Sequence, residues 1–121
     1  MLSVVVITKN EEKNIRDCLE GVKWADEIIV LDSHSTDKTQ EVCRKYTDRI
    51  ITGEWLGYAK QKNLGIETAK GDWILSLDAD ERVTSELKEE IIQTIKSNKA
   101  AYRGRVGADL RPLAQSLRAQ R

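Results

Sequence analysis

The chain has little of what several kinds of site require. Its 121 residues include one histidine, two cysteines, one proline and no phenylalanine. A metal site built from several histidines is therefore excluded. Cys18 and Cys43 lack the spacing of a thiolate metal site, so we expect both to be buried, reduced thiols. The apolar run from Leu2 to Ile7 is too short for a signal peptide or a membrane span.

Excess charge of either sign is also absent. Twenty basic and twenty acidic residues give a formal net charge of zero. A general nucleic-acid or membrane-surface binder carries a basic excess, so the balance argues against both and predicts no nucleic-acid partner. The length suffices for one small domain with its own core, and we expect a cytoplasmic protein.

Apolar patterns predict alternating strands and helices. β-Branched or apolar runs predict strands at Ser3–Ile7, Glu27–Leu31, Arg49–Thr52 and Trp73–Leu77, with a fifth beginning in Ala100–Tyr102. Helical spacing appears in Ile15–Val22, Thr39–Tyr46, Tyr58–Ala69 and Leu87–Ile95, and Ser35 and Thr36 are N-cap candidates for the second helix. This alternation predicts an α/β fold with a mostly parallel sheet flanked by helices. If the strand order is 3-2-1-4, the ends of the first, second and fourth strands are neighbours.

Polar residues follow three of these strands. Thr8 and Asn10 follow the first strand, Asp32 the second, and Asp78 and Asp80 the fourth. In parallel sheets, ligands bind outside the carboxyl ends of the strands, where the strand order reverses. The convergence therefore predicts a binding site at this edge.

Asp78 and Asp80 suggest a cation at that site. Successive strand residues point to opposite faces, so these two carboxylates project from the same side and repel each other. A divalent cation relieves that repulsion, because hard cations take oxygen ligands. The alternative is a solvated acidic turn before the next helix.

The segment from residue 103 to 121 differs in composition. It is rich in Arg, Ala, Leu and Gly, contains no lysine, and holds the chain's one proline, Pro112. Leu110, Leu113 and Leu117 are spaced for a short helix that is either broken at Pro112 or starts there, and no strong strand pattern is present. We therefore divide the chain into a domain over residues 1–102 and a divergent basic tail over residues 103–121, which is either frayed or docked on an acidic surface or a partner.

Four segments in order resemble the family 2 glycosyltransferases, which have the GT-A fold, and in particular the lipopolysaccharide-core branch. The segments are Ser3–Glu12, Ile29–Asp37, Gln61–Asn63 and Gly71–Glu81, and the resemblance covers about residues 2–102. It implies that the chain is the Rossmann-like half of a transferase that uses nucleotide-diphospho-sugars. The expected donor is a UDP-sugar, and the expected acceptor is a glycan or a lipid-linked molecule. It also implies a cytoplasmic location, with peripheral association at the inner membrane as an option.

The resemblance also implies roles for particular residues. Thr8, Asn10 and Glu11 resemble the first nucleotide-contacting loop, and Asp32 the acid that accepts a hydrogen bond from the base. Lys62, next to Asn63, resembles a nucleotide- or phosphate-contacting group. Asp78 would contact the ribose or the metal shell, and Asp80 would bind the Mn²⁺ or Mg²⁺ that bridges the donor diphosphate.

Two departures from the family pattern bear on activity. His34 stands where the family usually has glycine. Glycine adopts φ > 0 at little cost, whereas histidine adopts it less readily. Family members exceed two hundred residues, and their second half supplies the acceptor site and the carboxylate base. The catalytic base is therefore unknown, and the sequence suggests a truncated or frame-shifted chain. A non-catalytic or self-associating nucleotide-binding fragment, and with it a homo-oligomer, is the alternative.

Overall fold

The computed structural model describes residues 1–97, 102–103 and 109–113. In this part of the chain, four helices flank a six-stranded sheet. The strands are β1 (Leu2–Thr8), β2 (Glu27–Asp32), β3 (Ile50–Thr52), β4 (Trp73–Asp78), β5 (Tyr102–Arg103) and β6 (Asp109–Pro112). The helices are α1 (Ile15–Glu20), α2 (Thr39–Cys43), α3 (Tyr58–Thr68) and α4 (Ser85–Ser97). None of these helices is long and apolar enough to cross a membrane.

The sheet has the order β3-β2-β1-β4-β6-β5. Its first four strands are parallel and have the order 3-2-1-4 that the expected convergence requires, and β6 and β5 add an antiparallel edge. Thr8 pairs with Asp32, and Ile7 pairs with Asp78. The carboxyl ends of β1, β2 and β4 therefore lie next to one another.

The core lies on both faces of the sheet. Val4 and Val6 of β1 belong to a cluster with the buried residues of α1, α2 and α4. Val5 and Ile7 belong to a second cluster, which α3 covers through Ile66. Because successive strand residues point to opposite faces, a continuous β-branched strand can fill both clusters at once.

Both cysteines are buried and reduced, as predicted. Burial raises the pKa of the Cys18 and Cys43 thiols from 9.0 to about 12. The thiolate is the reactive form of a cysteine, and burial also blocks access to the sulfur. The native chain should therefore react with a disulfide reagent much more slowly than the unfolded chain. Thiol release measured at pH 8, with and without urea, checks this; rapid native labelling would show that either helix opens readily.

The predicted start of the second helix is wrong. α2 begins at Thr39, its N-cap is Lys38, and no side chain caps it. Ser35 instead donates its hydroxyl to the Asp32 carboxylate, and the Thr36 N–H donates to Asn10 Oδ1 at 2.8 Å. The two hydroxyl residues are thus used by the loops of the site rather than by the helix.

The helical assignment of Leu110 is also wrong. Asp109–Pro112 forms β6, which pairs antiparallel with β4 and places Leu110 opposite Leu75, both fully buried. Pairing satisfies the backbone groups on the edge of β4, and Pro112 is tolerated at the strand end. β6 lies beyond the predicted boundary at residue 102, which itself stays a prediction. Ala100, Ala101 and Leu117 lie outside the described residues.

Candidate functional site

A cleft of about 450 Å³ opens at the carboxyl ends of β1 and β4. It is lined by Ile7, Thr8, Lys9, Glu11, Trp55, Tyr58, Asp78, Ala79 and Asp80. Four of the seven residues predicted from the sequence are in this lining: Thr8, Glu11, Asp78 and Asp80. The structure therefore brings the ends of strands one and four together, as the pattern of polar strand ends predicts.

The side-chain oxygen of Thr8 has no hydrogen-bond partner among the described residues. The side chain is buried. A buried hydroxyl without a partner costs free energy, and such groups are rare in folded proteins. Its place in the cleft lining suits a hydroxyl that a bound polar ligand satisfies.

The carboxyl groups of Asp78 and Glu81, at the acidic end of the cleft, resist ionisation. Burial raises the pKa of Asp78, the charge of Asp80 raises it further, and Lys62 opposes both effects. Burial also raises the pKa of Glu81, and the charges of Asp78 and Asp80 add to that rise. The Asp78 N–H donates to Glu81 Oε1 at 2.7 Å, which fixes the turn after β4. Carboxylates that resist ionisation are stabilised by an added cation.

These acids fit a metal that is shared with a substrate. Within the described residues, no three metal-ligating side chains group around one point. A dedicated all-protein cage is therefore not formed by that part of the chain. Mg²⁺ is commonly held by one or two carboxylates together with substrate phosphates and water, and Asp78 and Asp80 can supply that number.

The loop after β1 is joined to the loop after β2. Asn10 has φ of 52°, its N–H donates to Ser35 Oγ at 2.8 Å, and its Oδ1 accepts the Thr36 N–H. Glu11 lines the cleft, and its N–H donates to Thr39 Oγ1 at 2.9 Å. Asn10 therefore holds two loops together, whereas Glu11 faces the cleft.

Asp32 organises its own loop. Its buried carboxylate accepts the Ser35 N–H at 2.9 Å, the Ser35 hydroxyl, and Gln40 Nε2 at 2.7 Å. The structure does not place Asp32 in the cleft lining. His34, within the same loop, is exposed and has φ of 55°, so it adopts the left-handed conformation expected where the family has glycine.

Lys62 lies on α3 and forms an ion pair with the first residue of β6. Its Nζ is 3.6 Å from Asp109 Oδ2, and both residues line a second cavity of about 200 Å³, which Asn63 and Ser76 also line. Asp109 also binds Arg111 at 2.9 Å. Lys62 is not in the lining of the cleft, but its charge lowers the pKa of Asp78.

A family model described as Glycosyl transferase family 2 matches residues 3–115. The chain belongs to this family. An uncharacterized glycosyltransferase of Rickettsia bellii is 44% identical over 91 residues, 74% of this chain and 31% of that protein. The lipopolysaccharide core biosynthesis glycosyltransferase LpsC of Rhizobium meliloti is 37% identical over 93 residues, 73% of this chain and 34% of that protein. This family 2 chain spans about a third of the length of these relatives.

Solved structures show the same fold. The mannosyltransferase PcManGT from Pyrobaculum calidifontis, in complex with GDP-Man and Mn²⁺, aligns over 98% of this chain and 46% of its own, with TM-score 0.80 and 17% identity. S. aureus TarS 1-349, in complex with UDP-GlcNAc, aligns over 79% of this chain and 31% of its own, with TM-score 0.64 and 27% identity. The chain therefore has the GT-A fold, with the mostly parallel sheet predicted.

Sequence reasoning missed the contributions of Glu81, Trp55 and Tyr58 to the site. Glu81 fixes the acidic turn, and Trp55 and Tyr58 line the cleft. The signal for Glu81 was the third acid within four residues. The signal for the aromatic residues was a tryptophan and a tyrosine in and beside a short segment that Gly53 and Gly57 bracket.

Proposed function

We propose that this chain is the donor-binding part of an inverting, metal-dependent glycosyltransferase. The observation that carries the proposal is the cleft at the reversal of strand order, where Thr8, Glu11, Asp78 and Asp80 meet. A nucleotide-diphospho-sugar supplies what this cleft lacks: hydrogen-bonding groups for Thr8 and, with a divalent cation, neutralisation of the acids. TarS with UDP-GlcNAc and PcManGT with GDP-Man and Mn²⁺ support that ligand class.

The proposed roles follow from position. Asp80 and Asp78 hold the Mn²⁺ or Mg²⁺, which when bound stabilises the charge that develops on the leaving diphosphate. Thr8 and Glu11 contact the nucleotide. Lys62 contributes positive charge near the diphosphate, and this requires Nζ to leave Asp109.

Asn10 and Asp32 shape the nucleotide loop. Their hydrogen bonds join the loops after β1 and β2, and these bonds hold the loop in which His34 has positive φ. The role that the resemblance gives Asp32 also remains part of the proposal. A carboxylate has about four acceptor sites and Asp32 uses three, so one remains for an N–H of the base.

The acceptor and location are proposed from the relatives. The name of LpsC supports a lipopolysaccharide-core or other glycan acceptor. We propose that this acceptor is lipid-linked at the inner membrane. We propose a cytoplasmic location with peripheral association there. Because we assign no catalytic base, we expect nucleotide binding by this chain and little or no sugar transfer.

Calorimetric titration of UDP, with and without Mn²⁺, tests the proposal. We expect Mn²⁺ to strengthen binding by roughly tenfold or more, which is about 1.4 kcal/mol. Asp80→Ala should abolish that gain. Asp72→Ala is the matched control, because Asp72 lies just before the opposite end of β4, is 82% exposed and pairs with the N-terminal amine at 3.2 Å. Metal-independent binding, or equal losses in both variants, would refute the metal site.

A wild-type chain that binds no UDP under either condition would refute the donor site as a whole. Light scattering of the same sample separates the remaining explanations. A concentration-dependent increase in mass would then favour the self-associating fragment. Robust sugar transfer by the purified chain would instead contradict the expectation that the chain holds only the donor-binding part.

A further inference from the structure

The first residue of α3 and the segment before it expose three large apolar side chains together. Trp55 is 45% exposed, Leu56 is 52% exposed and Tyr58 is 65% exposed. The rings of Trp55 and Tyr58 meet edge to face, with centroids 4.8 Å apart and planes at 89°. This arrangement holds two aromatic rings in place at the surface, although neither ring is buried in the core.

Trp55 and Tyr58 line the same cleft as Thr8 and Asp80. The cleft therefore combines an acidic end, which suits a cation and a diphosphate, with an aromatic wall. The unpartnered, buried Thr8 hydroxyl in that lining is an independent sign of a missing ligand. A ligand that fits the whole cleft carries anionic groups and a flat ring in one molecule.

We propose that the nucleobase of the donor stacks on the face of the Trp55 ring, and that Tyr58, whose ring is perpendicular to it, supports this wall of the cleft. This rests on the proposed function and deepens it, because it assigns the contact that holds the base. The resemblance gives nucleotide contacts to Asp32 and Asn10, but the Asp32 carboxylate binds its own loop and the Asn10 side chain binds the loop after β2. Neither residue lines the cleft. The base therefore needs another contact within the cleft, and its face matches an aromatic ring.

The sugar is the less suitable occupant of this wall. A sugar presents hydroxyls around its ring, and these need polar partners when they leave water. Trp55 and Tyr58 together offer an indole N–H and a phenol hydroxyl, but chiefly apolar ring surface. Base stacking on an aromatic side chain contributes binding energy without any hydrogen-bond readout, because every base has a π-face.

Tryptophan fluorescence can isolate the contact. The chain has three tryptophans. Trp73 is buried, and Trp24 donates its indole N–H to the Gly21 carbonyl beside α1, so neither lines the cleft. Quenching upon addition of UDP should therefore come from Trp55. The quenching should disappear in Trp55→Phe while most of the affinity for UDP is kept, because a phenyl ring still stacks.

Titrations with three ligands, UDP, UDP-glucose and inorganic pyrophosphate, each with Mn²⁺, test the proposal. Trp55→Ala should weaken UDP binding roughly 5- to 150-fold and leave pyrophosphate binding unchanged. Leu56→Ala is the matched control, because Leu56 is equally exposed but lies outside the cleft lining. It should change none of these affinities.

Three results would overturn the inference, and they differ from one another. Unchanged UDP affinity in Trp55→Ala would show that the ring does not touch the base. Loss of affinity for UDP-glucose with UDP affinity kept would assign the wall to the sugar. A wild-type chain that binds neither UDP nor pyrophosphate would instead refute the donor site itself, and this inference with it.

Discussion

Gly65→Ala should destabilise the chain, although alanine is the better helix former. A Cβ at residue 65 would lie 2.3 Å from Val5 Cγ1 and 3.2 Å from Leu31 Cδ1. Val5 is fully buried in β1, and a β-branched side chain has little rotamer freedom with which to move away. Overpacking of this kind costs about 1–3 kcal/mol, against the roughly 1 kcal/mol that alanine gains over glycine within a helix.

Urea unfolding followed by circular dichroism measures this effect. The free energy of unfolding should fall in Gly65→Ala and be unaffected or slightly higher in Gly53→Ala, because a Cβ at residue 53 meets nothing within 4 Å. The double variant Val5→Ala/Gly65→Ala provides the rescue. Removing the Val5 methyl groups should make Gly65→Ala neutral or favourable in that background. An equal cost in both backgrounds would contradict the steric explanation.

The same close packing matters for the site. Gly65 lies in α3, the helix that begins at Tyr58 and carries Lys62. Only a residue without a Cβ lets this helix approach β1 so closely. We therefore expect Gly65 to determine how far Tyr58, at the start of α3, lies from the sheet. A loss of stability in Gly65→Ala should therefore be accompanied by weaker UDP quenching of Trp55.

The sheet was predictable because its signal is local. The strand Val4-Val5-Val6 is apolar on both faces, and only a parallel strand that is covered on both sides keeps that pattern. Strand order then follows from short right-handed crossovers, and the convergence of Thr8, Asp32 and Asp78 follows from strand order. All of these steps depend on neighbours in sequence or on general topology, and the structure has the order 3-2-1-4.

What failed depends on pairings between distant residues. Ser35 was an N-cap candidate, but its hydroxyl donates to the nearby Asp32 carboxylate and accepts the N–H of Asn10, which is 25 residues away in the sequence. Leu110 was assigned to a helix because its spacing from Leu113 suits one. The unpaired edge of β4 instead takes that segment as a strand. A sequence pattern shows what a segment prefers alone and not which edge or carboxylate competes for it.

Asp78→Asn should have opposite effects with and without metal. Burial and the charge of Asp80 raise the pKa of Asp78 in the folded chain, and Lys62 only partly offsets them. An acid with a raised folded-state pKa binds its proton more tightly when folded. Its contribution to stability is therefore complete below the unfolded pKa, about 3.9, and is lost as the pH rises through the folded pKa. At pH 7 the ionised Asp78 opposes folding, and asparagine removes that cost.

Thermal unfolding in EDTA should therefore show a higher Tm for Asp78→Asn at pH 7 and no gain at pH 3. With Mn²⁺ and UDP the wild-type chain should instead have the higher Tm. A ligand stabilises the folded chain more the more tightly it binds, and the variant has lost one of the carboxylates that bind the metal. Asp72→Asn, beyond the opposite end of β4, should show neither effect. A Tm that is lower in EDTA would mean that the Asp78 carboxylate supports the turn after β4. Opposite signs, by contrast, would show that this stretch of chain gives up stability for the sake of binding a cation.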